Sequence, residues 1–284
     1  MPLPQPAAVA GKLIDRVAKH LPAEGRLGIA YSGGVDSATL LAIAHHVLGP
    51  DRVLAIMAVS PSLASREKAL ALDTAEFIGA QVIQITTDEQ AVEGYRANDV
   101  DRCYFCKKEM FEVIDDSLIQ AHGLSAVAYG ENADDSTRID RPGARAATEH
   151  GVLRPLSDAG LSKADVRSVA RAFQLPVADK PAAPCLASRI PHGHEVTEEK
   201  LKQVEALELT LYQLGFSDSR VRHHGDIARI ELLVGEIPRA TAPEVSAEIQ
   251  ASSARAGFTY AVVDLRGIQS GAMTLSILNA KGSL

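Results

Sequence analysis

The hexapeptide SGGVDS follows a short apolar stretch, and a helical pattern begins directly after it. A tight glycine turn at a helix N-terminus collects backbone amides and the positive end of the helix dipole, which together bind anions such as phosphate. Ser32 and Ser37 add hydroxyl donors, and Gly33 and Gly34 allow a close approach to the backbone. Asp36 would repel a phosphate, and a magnesium ion would resolve that conflict. The turn therefore predicts a nucleotide-phosphate site that uses Mg²⁺.

The glycine turn differs from both common phosphate-binding motifs. It lacks the lysine and hydroxyl residue that end a Walker A loop, and it lacks the G-x-G-x-x-G pattern of a dinucleotide fold. A bare glycine-rich turn is often only structural, but the complete hexapeptide directly after the first strand favours phosphate binding.

The chain has three cysteines, an odd number that argues against a disulfide scaffold. Cys103 and Cys106 stand three positions apart at the start of a predicted helix, a spacing at which both thiolates reach one metal or cluster. Cys185 follows in a proline-bounded loop. Several interpretations stay open: plain burial, zinc held with His192 or His194, a redox C-x-x-C pair, and a four-iron cluster held at three corners.

The elements that must position these residues alternate along the first two thirds of the chain. The strand-like runs are LGIAY, RVLAIMAVS, AQVIQITT and AVAYG. Helical stretches separate them near residues 37–48, 62–78 and 105–122, and a glycine follows each stretch where a left-handed cap is expected. This βαβ alternation predicts an α/β fold with a doubly wound parallel sheet and helices on both faces.

A change of pattern marks the end of this first part. Four prolines fall within the sixteen residues from Pro176 to Pro191, a density that neither a helix interior nor a central strand tolerates. We place the domain junction there. Residues 1–190 are expected to form the first domain, and residues 191–284 a smaller α+β domain with a strand pair about Gly225.

Composition and charge limit the classes of partner. The chain is 46% hydrophobic and 23% charged, so a packed core is expected. A net charge of −7 argues against nucleic-acid binding over the whole surface. The sequence shows no long apolar window and no leader with a basic region before an apolar run, so we expect no membrane partner and a cytoplasmic location.

SGGVDS resembles the pyrophosphate loop of the PP-loop ATP pyrophosphatases, which split ATP to AMP and pyrophosphate while a substrate oxygen is adenylated. The resemblance extends to the segment YGENADD, and it implies that Gly130, Asn132 and Asp134 lie near the nucleotide and its metal. It also implies ATP and Mg²⁺ as cofactors and a sheet of the adenine nucleotide alpha hydrolase-like type.

The loop KPAAPCLASRIPHG narrows the resemblance to the ATP-dependent sulfur transferases of the LarE type, which serve synthesis of the nickel-pincer cofactor. The segments RPGARAATEHGVLRPL, RVRHHGDIARIEL and DLRGIQSGAM extend the match over nearly the whole chain. In this family a carboxylate of pyridinium-3,5-biscarboxylic acid mononucleotide is adenylated and converted to a thiocarboxylate. The resemblance implies that residues 1–190 bind ATP, that residues 191–284 bind substrate or mediate self-association, and that the protein is a homo-oligomer.

Two sulfur routes are known in this family. In one, the loop cysteine gives up its own sulfur and becomes dehydroalanine; in the other, three cysteines hold a 4Fe-4S cluster that relays sulfur from a donor. The presence of Cys103 and Cys106 beside Cys185 places this sequence with the second group. The resemblance therefore implies that these three residues are metal ligands and that Cys185 and Asp36 are catalytic.

The substrate of the family carries a phosphate, which a basic site must meet. Arg220 and Arg222 lie two apart on a predicted strand and so share a face, although a solvated charged strand is the alternative. Arg189 and Arg266 come from the motifs that resemble the family. Three further charged residues share a predicted loop near the nucleotide and have no assigned role: Arg138, Asp140 and Arg145.

Three other functions compete with this interpretation. A tRNA 2-thiolation enzyme also combines a pyrophosphate loop with a three-cysteine cluster, but the acidic balance and the absence of paired C-x-x-C zinc ribbons count against it. An amide-forming PP-loop ligase of the NAD synthetase type would leave the cysteines incidental. An ATP-binding regulatory module would release no pyrophosphate.

Overall fold

A computed structural model describes residues 3, 4, 6, 8–136 and 142–268. The chain divides into two compact units, each built from two separate segments, so the chain passes between the units three times. Residues Met1–Glu89 and Cys103–Ala183 form the first unit, and residues Gln90–Arg102 and Pro184–Leu284 form the second. The functional boundary expected after residue 190 stays a prediction.

Strands and helices alternate in the first unit, as the sequence predicts. The strands are β1 (Arg26–Ala30), β2 (Val53–Val59), β3 (Gln81–Thr86) and β4 (Leu124–Tyr129). The helices are α1 (Ala8–Ala18), α2 (Val35–Leu48), α3 (Ser65–Ile78), α5 (Arg102–Val113), α6 (Asp116–Ala121), α7 (Ala133–Ser136), α8 (Pro142–Glu149), α9 (Pro155–Asp158) and α10 (Lys163–Ala172), with α4 (Glu93–Arg96) in the second unit.

The four strands form one parallel sheet in the order β3-β2-β1-β4. Side chains of a strand alternate between the two faces of a sheet. In β2, Val53, Ala55 and Met57 belong to one buried cluster, whereas Leu54 and Ile56 belong to another. A strand that is apolar on both faces requires cover on both, which confirms the predicted doubly wound α/β sheet.

Different helices cover the two faces. Ile14 of α1, Leu41 of α2 and Val166 of α10 pack in one cluster. Phe111 of α5 and Ala147 of α8 pack in the other. The glycine turn between β1 and α2 and the segment after β4 both lie at the carboxyl ends of adjacent strands, where doubly wound sheets bind ligands.

Local capping explains several of the helix ends. Gly79, with φ +80°, ends α3 in the left-handed conformation, as the sequence predicts. The helix predicted over 105–122 is instead two helices, because the carboxylate of Asp115 accepts the Leu118 amide at 2.9 Å and caps α6. A short polar residue inside an apolar pattern can therefore start a new helix.

The second unit contains the expected small α+β structure. Its strands β5 (Ser219–His224), β6 (Ile227–Leu232) and β7 (Tyr260–Val263) form a sheet in that order, and its later helices are α11 (Glu198–Gln213), α12 (Ile237–Ala240) and α13 (Pro243–Arg255). The first two strands are an antiparallel hairpin about Gly225, as predicted, whereas β7 runs parallel to β6 because α13 returns the chain before it. Helix α11 packs on β5 and on α13.

Within the described ranges, no helix has both the length and the apolar character needed to cross a membrane. The longest of them, α11, begins with Glu198 and Glu199 in its first turn.

Candidate functional site

Two glycines with different tasks form the turn between β1 and α2. Gly33 has φ +71°, and a Cβ atom there would come within 2.3 Å of the Ala71 Cβ atom, so the position accepts only glycine. Gly34 is the N-cap residue of α2 and makes no side-chain cap. The turn therefore has the geometry of an anion site at a helix N-terminus.

The two serines of the turn hold it closed. The hydroxyl groups of Ser32 and Ser37 lie 3.2 Å apart, and Ser37 Oγ donates to the Gly34 carbonyl oxygen at 3.1 Å. Ser37 is buried, whereas Ser32 is exposed. Ser37 thus stabilises the turn itself, and Ser32 presents its hydroxyl group at the surface where a bound anion would lie.

The segment after β4 packs against the first turn of α2. A Cβ atom on Gly130 would lie 2.6 Å from the Ser37 nitrogen, so this contact requires glycine. Asn132 is fully buried, and its Nδ2 donates to Asp36 Oδ1 at 3.1 Å and to Asp135 Oδ2 at 2.8 Å. The structure therefore brings Gly130 and Asn132 to the glycine turn.

Asp36 lies between an amide and an ammonium group. Lys163 Nζ is 2.5 Å from Asp36 Oδ2, whereas Asn132 bonds to the other oxygen of the carboxylate, and the Asp36 side chain is 20% exposed. Asp134 lies one step away, where its carboxylate accepts the Lys163 backbone amide at 2.8 Å. The four side chains form one polar cluster beside the turn, which we call the Asp36 cluster.

In the second unit, Cys185 is exposed and precedes a single 3₁₀ turn, Leu186–Arg189. Arg189 is buried, and its guanidinium pairs with the Glu208 carboxylate at 2.9 and 3.2 Å. It also donates to the Pro184 carbonyl oxygen at 2.9 Å. Burial opposes the charged form of Arg189, but Glu208 outweighs it and raises the pKa, with a contribution from the nearby Cys185.

Arg220 and Arg222 lie on β5 close to Arg189. Arg222 donates to the Ser188 carbonyl oxygen and to Glu231, both at 2.9 Å. Burial lowers the pKa of Arg220, and repulsion from Arg189 and Arg222 lowers it further, although acidic neighbours partly offset this. Three of the four arginines expected at the substrate phosphate are thus neighbours.

Arg266 is connected to this group indirectly. It is largely exposed and bonds to Asp264, whose carboxylate also accepts from Arg229. Arg229 pairs in turn with Glu231 at 3.1 Å, the partner of Arg222. The hydrogen bond from Arg266 is the largest cause that lowers the pKa of Asp264. Alternating charges therefore link Arg266 to the buried arginines.

Cys103 and Cys106 lie in the first two turns of α5, where Cys103 is exposed and Cys106 is half-buried. Gly143 of α8 packs closely there: a Cβ atom on it would lie 2.8 Å from Lys107 Cδ and 3.4 Å from the Cys103 carbonyl oxygen. Disulfide bonds join none of the three cysteines. In the described part of the chain, no group of three or more His, Cys, Asp or Glu residues is arranged to hold a metal ion.

Two charged residues without an assigned role, Arg138 and Asp140, lie outside the described residues, as does the end of the motif DLRGIQSGAM. Arg145 lies on α8, with its guanidinium 3.7 Å from the centre of the Tyr104 ring and 3.6 Å from Glu149. These contacts give Arg145 a role in joining α8 to α5.

Comparison with known proteins decides the family. Residues 8–128 match the asparagine synthase family. The chain is 43% identical over 243 residues to an uncharacterized protein of Synechocystis, covering 86% of this chain and 90% of that protein. It is 35% identical over 258 residues to the pyridinium-3,5-bisthiocarboxylic acid mononucleotide synthase of Lactiplantibacillus plantarum, covering 90% of this chain and 91% of the synthase. The chain belongs to the LarE family of PP-loop proteins. A Methanocaldococcus jannaschii protein matches 72% of this LarE-family chain at 29% identity.

In this LarE-family chain, the sequence interpretation missed Lys163 of the Asp36 cluster. Ser162 and Asp165 form a capping box at the start of α10, and Lys163 is the first residue of that helix. A lysine in the first turn opposes the helix dipole. The unfavourable position of Lys163 at a helix N-terminus could have indicated, from the sequence, that its side chain pairs with an acidic residue elsewhere in the chain.

Glu208 and Arg102 were also missed. Glu208 lies on the helical pattern of α11, where a glutamate is ordinary, and Arg102 was not among the predicted site residues. Arg102 is buried, and its guanidinium donates to the Ala187 carbonyl oxygen 85 positions along the chain. A partner at that separation leaves no local trace in the sequence.

Proposed function

We propose that this protein is an ATP-dependent sulfur transferase that adenylates a carboxylate of pyridinium-3,5-biscarboxylic acid mononucleotide and converts it to a thiocarboxylate in nickel-pincer cofactor synthesis. The observation that carries the proposal is the 35% identity, over nine tenths of both chains, to a synthase named for the bisthiocarboxylate product. The glycine turn and the Asp36 cluster would supply the anion site and the carboxylate that such a reaction requires.

We assign the first step to the glycine turn. The amides at Gly33 and Gly34 and the Ser32 hydroxyl group would bind the phosphates of ATP at the N-terminus of α2. A substrate carboxylate oxygen attacks the α-phosphorus, the bond to the β-phosphate breaks, and pyrophosphate leaves. The product is an acyl-adenylate, whose carbonyl carbon accepts a sulfur nucleophile far more readily than a free carboxylate does.

Asp36 fits a magnesium site of the nucleotide type. Such sites use one or two carboxylates, with phosphate oxygens and waters completing the octahedron, so they need no preformed group of three acidic residues. Magnesium at this position would neutralise phosphate charge. Asn132 would hold the carboxylate in orientation, and Lys163 would move its ammonium group from Asp36 to the departing pyrophosphate.

The second unit carries the proposed site for the substrate phosphate. Arg222 Nε is buried and has no hydrogen-bond partner among the described residues, which leaves a charged donor for an outside acceptor. A phosphate would also relieve the repulsion that lowers the pKa of Arg220. We assign direct phosphate contact to Arg220 and Arg222, with Arg189 adding charge and Arg266 at the far end of the ionic chain.

Cys185 is the proposed sulfur-bearing residue. In the sacrificial route its Sγ displaces AMP to form a thioester; loss of the Cα proton then breaks the Cβ–Sγ bond, leaving dehydroalanine and the thiocarboxylate. In the cluster route Cys103, Cys106 and Cys185 would hold three irons of a 4Fe-4S cluster fed by a separate sulfur donor. The thiol count fits a cluster, but the described residues show no assembled metal group.

Anaerobic purification followed by iron and sulfide quantification tests the proposal, together with a reaction containing ATP, magnesium and the pyridinium dicarboxylate mononucleotide. Pyrophosphate release and a thiocarboxylate product are expected. Dehydroalanine at Cys185 by mass spectrometry would favour the sacrificial route over the cluster. Sulfur-dependent turnover that requires tRNA, or full activity after replacement of all three cysteines by serine, would contradict the assignment.

We also propose self-association through the second unit. Tyr260 and Val262 are exposed on β7, which is an edge strand among the described residues, and Leu265 beyond it is 81% exposed. An edge strand with exposed apolar side chains favours contact with another protein surface. Light scattering after size-exclusion chromatography is expected to give a mass above that of one chain, and a V262K variant is expected to lower it.

A further inference from the structure

The backbone around Cys185 receives hydrogen bonds from three different guanidinium groups. Each bond is 2.9 Å long, and each ends on a carbonyl oxygen within three residues of Cys185. The donor and acceptor pairs are Arg189 Nη1 with Pro184 O, Arg102 Nη1 with Ala187 O, and Arg222 Nη1 with Ser188 O.

The three arginines are buried, with exposed fractions of 8% for Arg102, 6% for Arg189 and 4% for Arg222. A buried charge is tolerated where it is paired and hydrogen-bonded. Arg189 pairs with Glu208 and Arg222 with Glu231. Three buried arginines, two of them paired with glutamates, therefore donate hydrogen bonds to one short stretch of backbone.

That stretch has little support of its own. It consists of a single 3₁₀ turn in which the Ser188 amide donates to the Cys185 carbonyl oxygen at 2.9 Å, and residues 181–185 before it are exposed. Short 3₁₀ turns have poor hydrogen-bond geometry. Hydrogen bonds from charged donors are stronger than those from neutral ones, so the guanidinium groups supply most of the local order.

Arg102 has its own anchor in the segment Gln90–Arg102. Asn98 of that segment is fully buried with φ +56°, and its Nδ2 donates to the carbonyl oxygens of Ile190, Pro191 and His194, while its Oδ1 accepts from Arg102. A non-glycine residue in the left-handed region is held there by its surroundings. The segment that leads into Cys103 therefore fixes both the turn and the loop that follow Cys185.

We propose that Arg102, Arg189 and Arg222 are positioning residues that clamp the turn after Cys185, so that its exposed thiol keeps one position for sulfur transfer. The role in sulfur transfer rests on the proposed function, whereas the clamp itself does not. Arg102 is the most telling member, because it is not among the arginines proposed to meet the substrate phosphate and its guanidinium donates to the Ala187 carbonyl oxygen.

The experiment compares R102Q with R96Q. Arg96 lies in the same segment and donates to the Gln90 carbonyl oxygen, not to the turn after Cys185, so it is a matched control. Hydrogen exchange followed by mass spectrometry reports on the amides of Ser188 and Ile190, which bond within the turn. Loss of a charge-assisted hydrogen bond predicts exchange about tenfold faster in R102Q, and wild-type exchange in R96Q.

A kinetic readout separates positioning from general damage. R102Q is expected to slow thiocarboxylate formation about tenfold more than it slows pyrophosphate exchange, and R102K, which keeps the charge, is expected to recover part of the loss. If R102Q does not fold, the same exchange measurement is made on R102K. The Ser188 and Ile190 amides of R102K are then expected to be less protected than in the wild type and more protected than in an unfolded peptide.

Equal exchange across the Cys185 turn in wild type, R102Q and R102K would overturn the clamp. Equal losses of pyrophosphate exchange and sulfur transfer in R102Q would overturn its role in sulfur delivery. Failure of the proposed function looks different: the wild-type protein would then release no pyrophosphate, while faster exchange in R102Q would still support the clamp.

Discussion

Lys163 Nζ lies 2.5 Å from Asp36 Oδ2, although 127 positions separate the two residues along the chain. The contact places a cation beside the carboxylate that is proposed to hold magnesium. Under the proposed function, the phosphates of ATP would offer the lysine a stronger anionic partner and would free Asp36 for the metal.

Replacing Lys163 by alanine is expected to lower kcat/KM for ATP–pyrophosphate exchange about 10- to 100-fold, because one preorganised cation at the departing phosphates is lost. K163R should retain more activity than K163A. Lys202, an exposed residue that pairs with Glu198 on α11, provides the control K202A. Wild-type exchange kinetics in K163A would exclude this role.

Alanine substitutions at Gly33 and Gly123 distinguish the cost of backbone strain from the cost of a steric clash. Both have positive φ, +71° and +61°, but a Cβ atom would meet Ala71 at Gly33 and nothing within 4 Å at Gly123. G123A is expected to cost about 1 kcal/mol of unfolding free energy through φ alone. G33A adds an overpacking cost of about 1–3 kcal/mol, measurable by urea denaturation. Equal losses in the two variants would show that the Ala71 contact relaxes freely.

Asp264 predicts a pH-dependent contribution to stability. Its pKa in the folded protein is lowered, first by the hydrogen bond from Arg266. The ionised carboxylate therefore stabilises the fold above its unfolded pKa of about 3.9, and this contribution is lost as pH falls through the folded pKa. D264N should lower the unfolding free energy more at about pH 7 than at about pH 3, as measured by urea denaturation at the two pH values. A penalty for D264N that does not change with pH would contradict the ionic role.

The cysteines separate adenylation from sulfur transfer. C185A is expected to keep ATP–pyrophosphate exchange and to form no thiocarboxylate, because adenylation precedes the sulfur step. The double variant C103S/C106S should lose iron and multiple turnover under the cluster route. Repeated turnover by C103S/C106S, measured as more than one thiocarboxylate per chain, would remove these two residues from the mechanism.

The alternating strands and helices of the first unit were predictable because their signals are local. The β2 pattern is apolar on both faces, and Gly79 marks the end of α3 at the expected position. The division of residues 105–122 into two helices was missed, because the capping role of Asp115 depends on which conformation the chain adopts around it.

The candidate site was predictable where a motif carries the chemistry. SGGVDS indicated the phosphate turn, and Asn132 does lie at Asp36. The basic residues were harder, because an arginine looks the same in sequence whether it faces solvent or is buried. Arg266 is exposed and bonds to Asp264, whereas Arg102, which was not predicted as a site residue, is buried and bonds to Ala187. Partners far apart in sequence decide these cases.

The excursion of residues Gln90–Arg102 into the second unit has a practical consequence for dissecting the protein. A fragment that stops at residue 183 would contain Asn98 and Arg102 but would lack the loop whose carbonyl oxygens accept their hydrogen bonds. A fragment that starts at residue 184 would lack the segment Gln90–Arg102, which donates those bonds. Neither unit is continuous in sequence. A simple truncation therefore cannot separate the proposed nucleotide-binding and sulfur-transfer sites; each unit would have to be expressed with its two segments joined by a new linker.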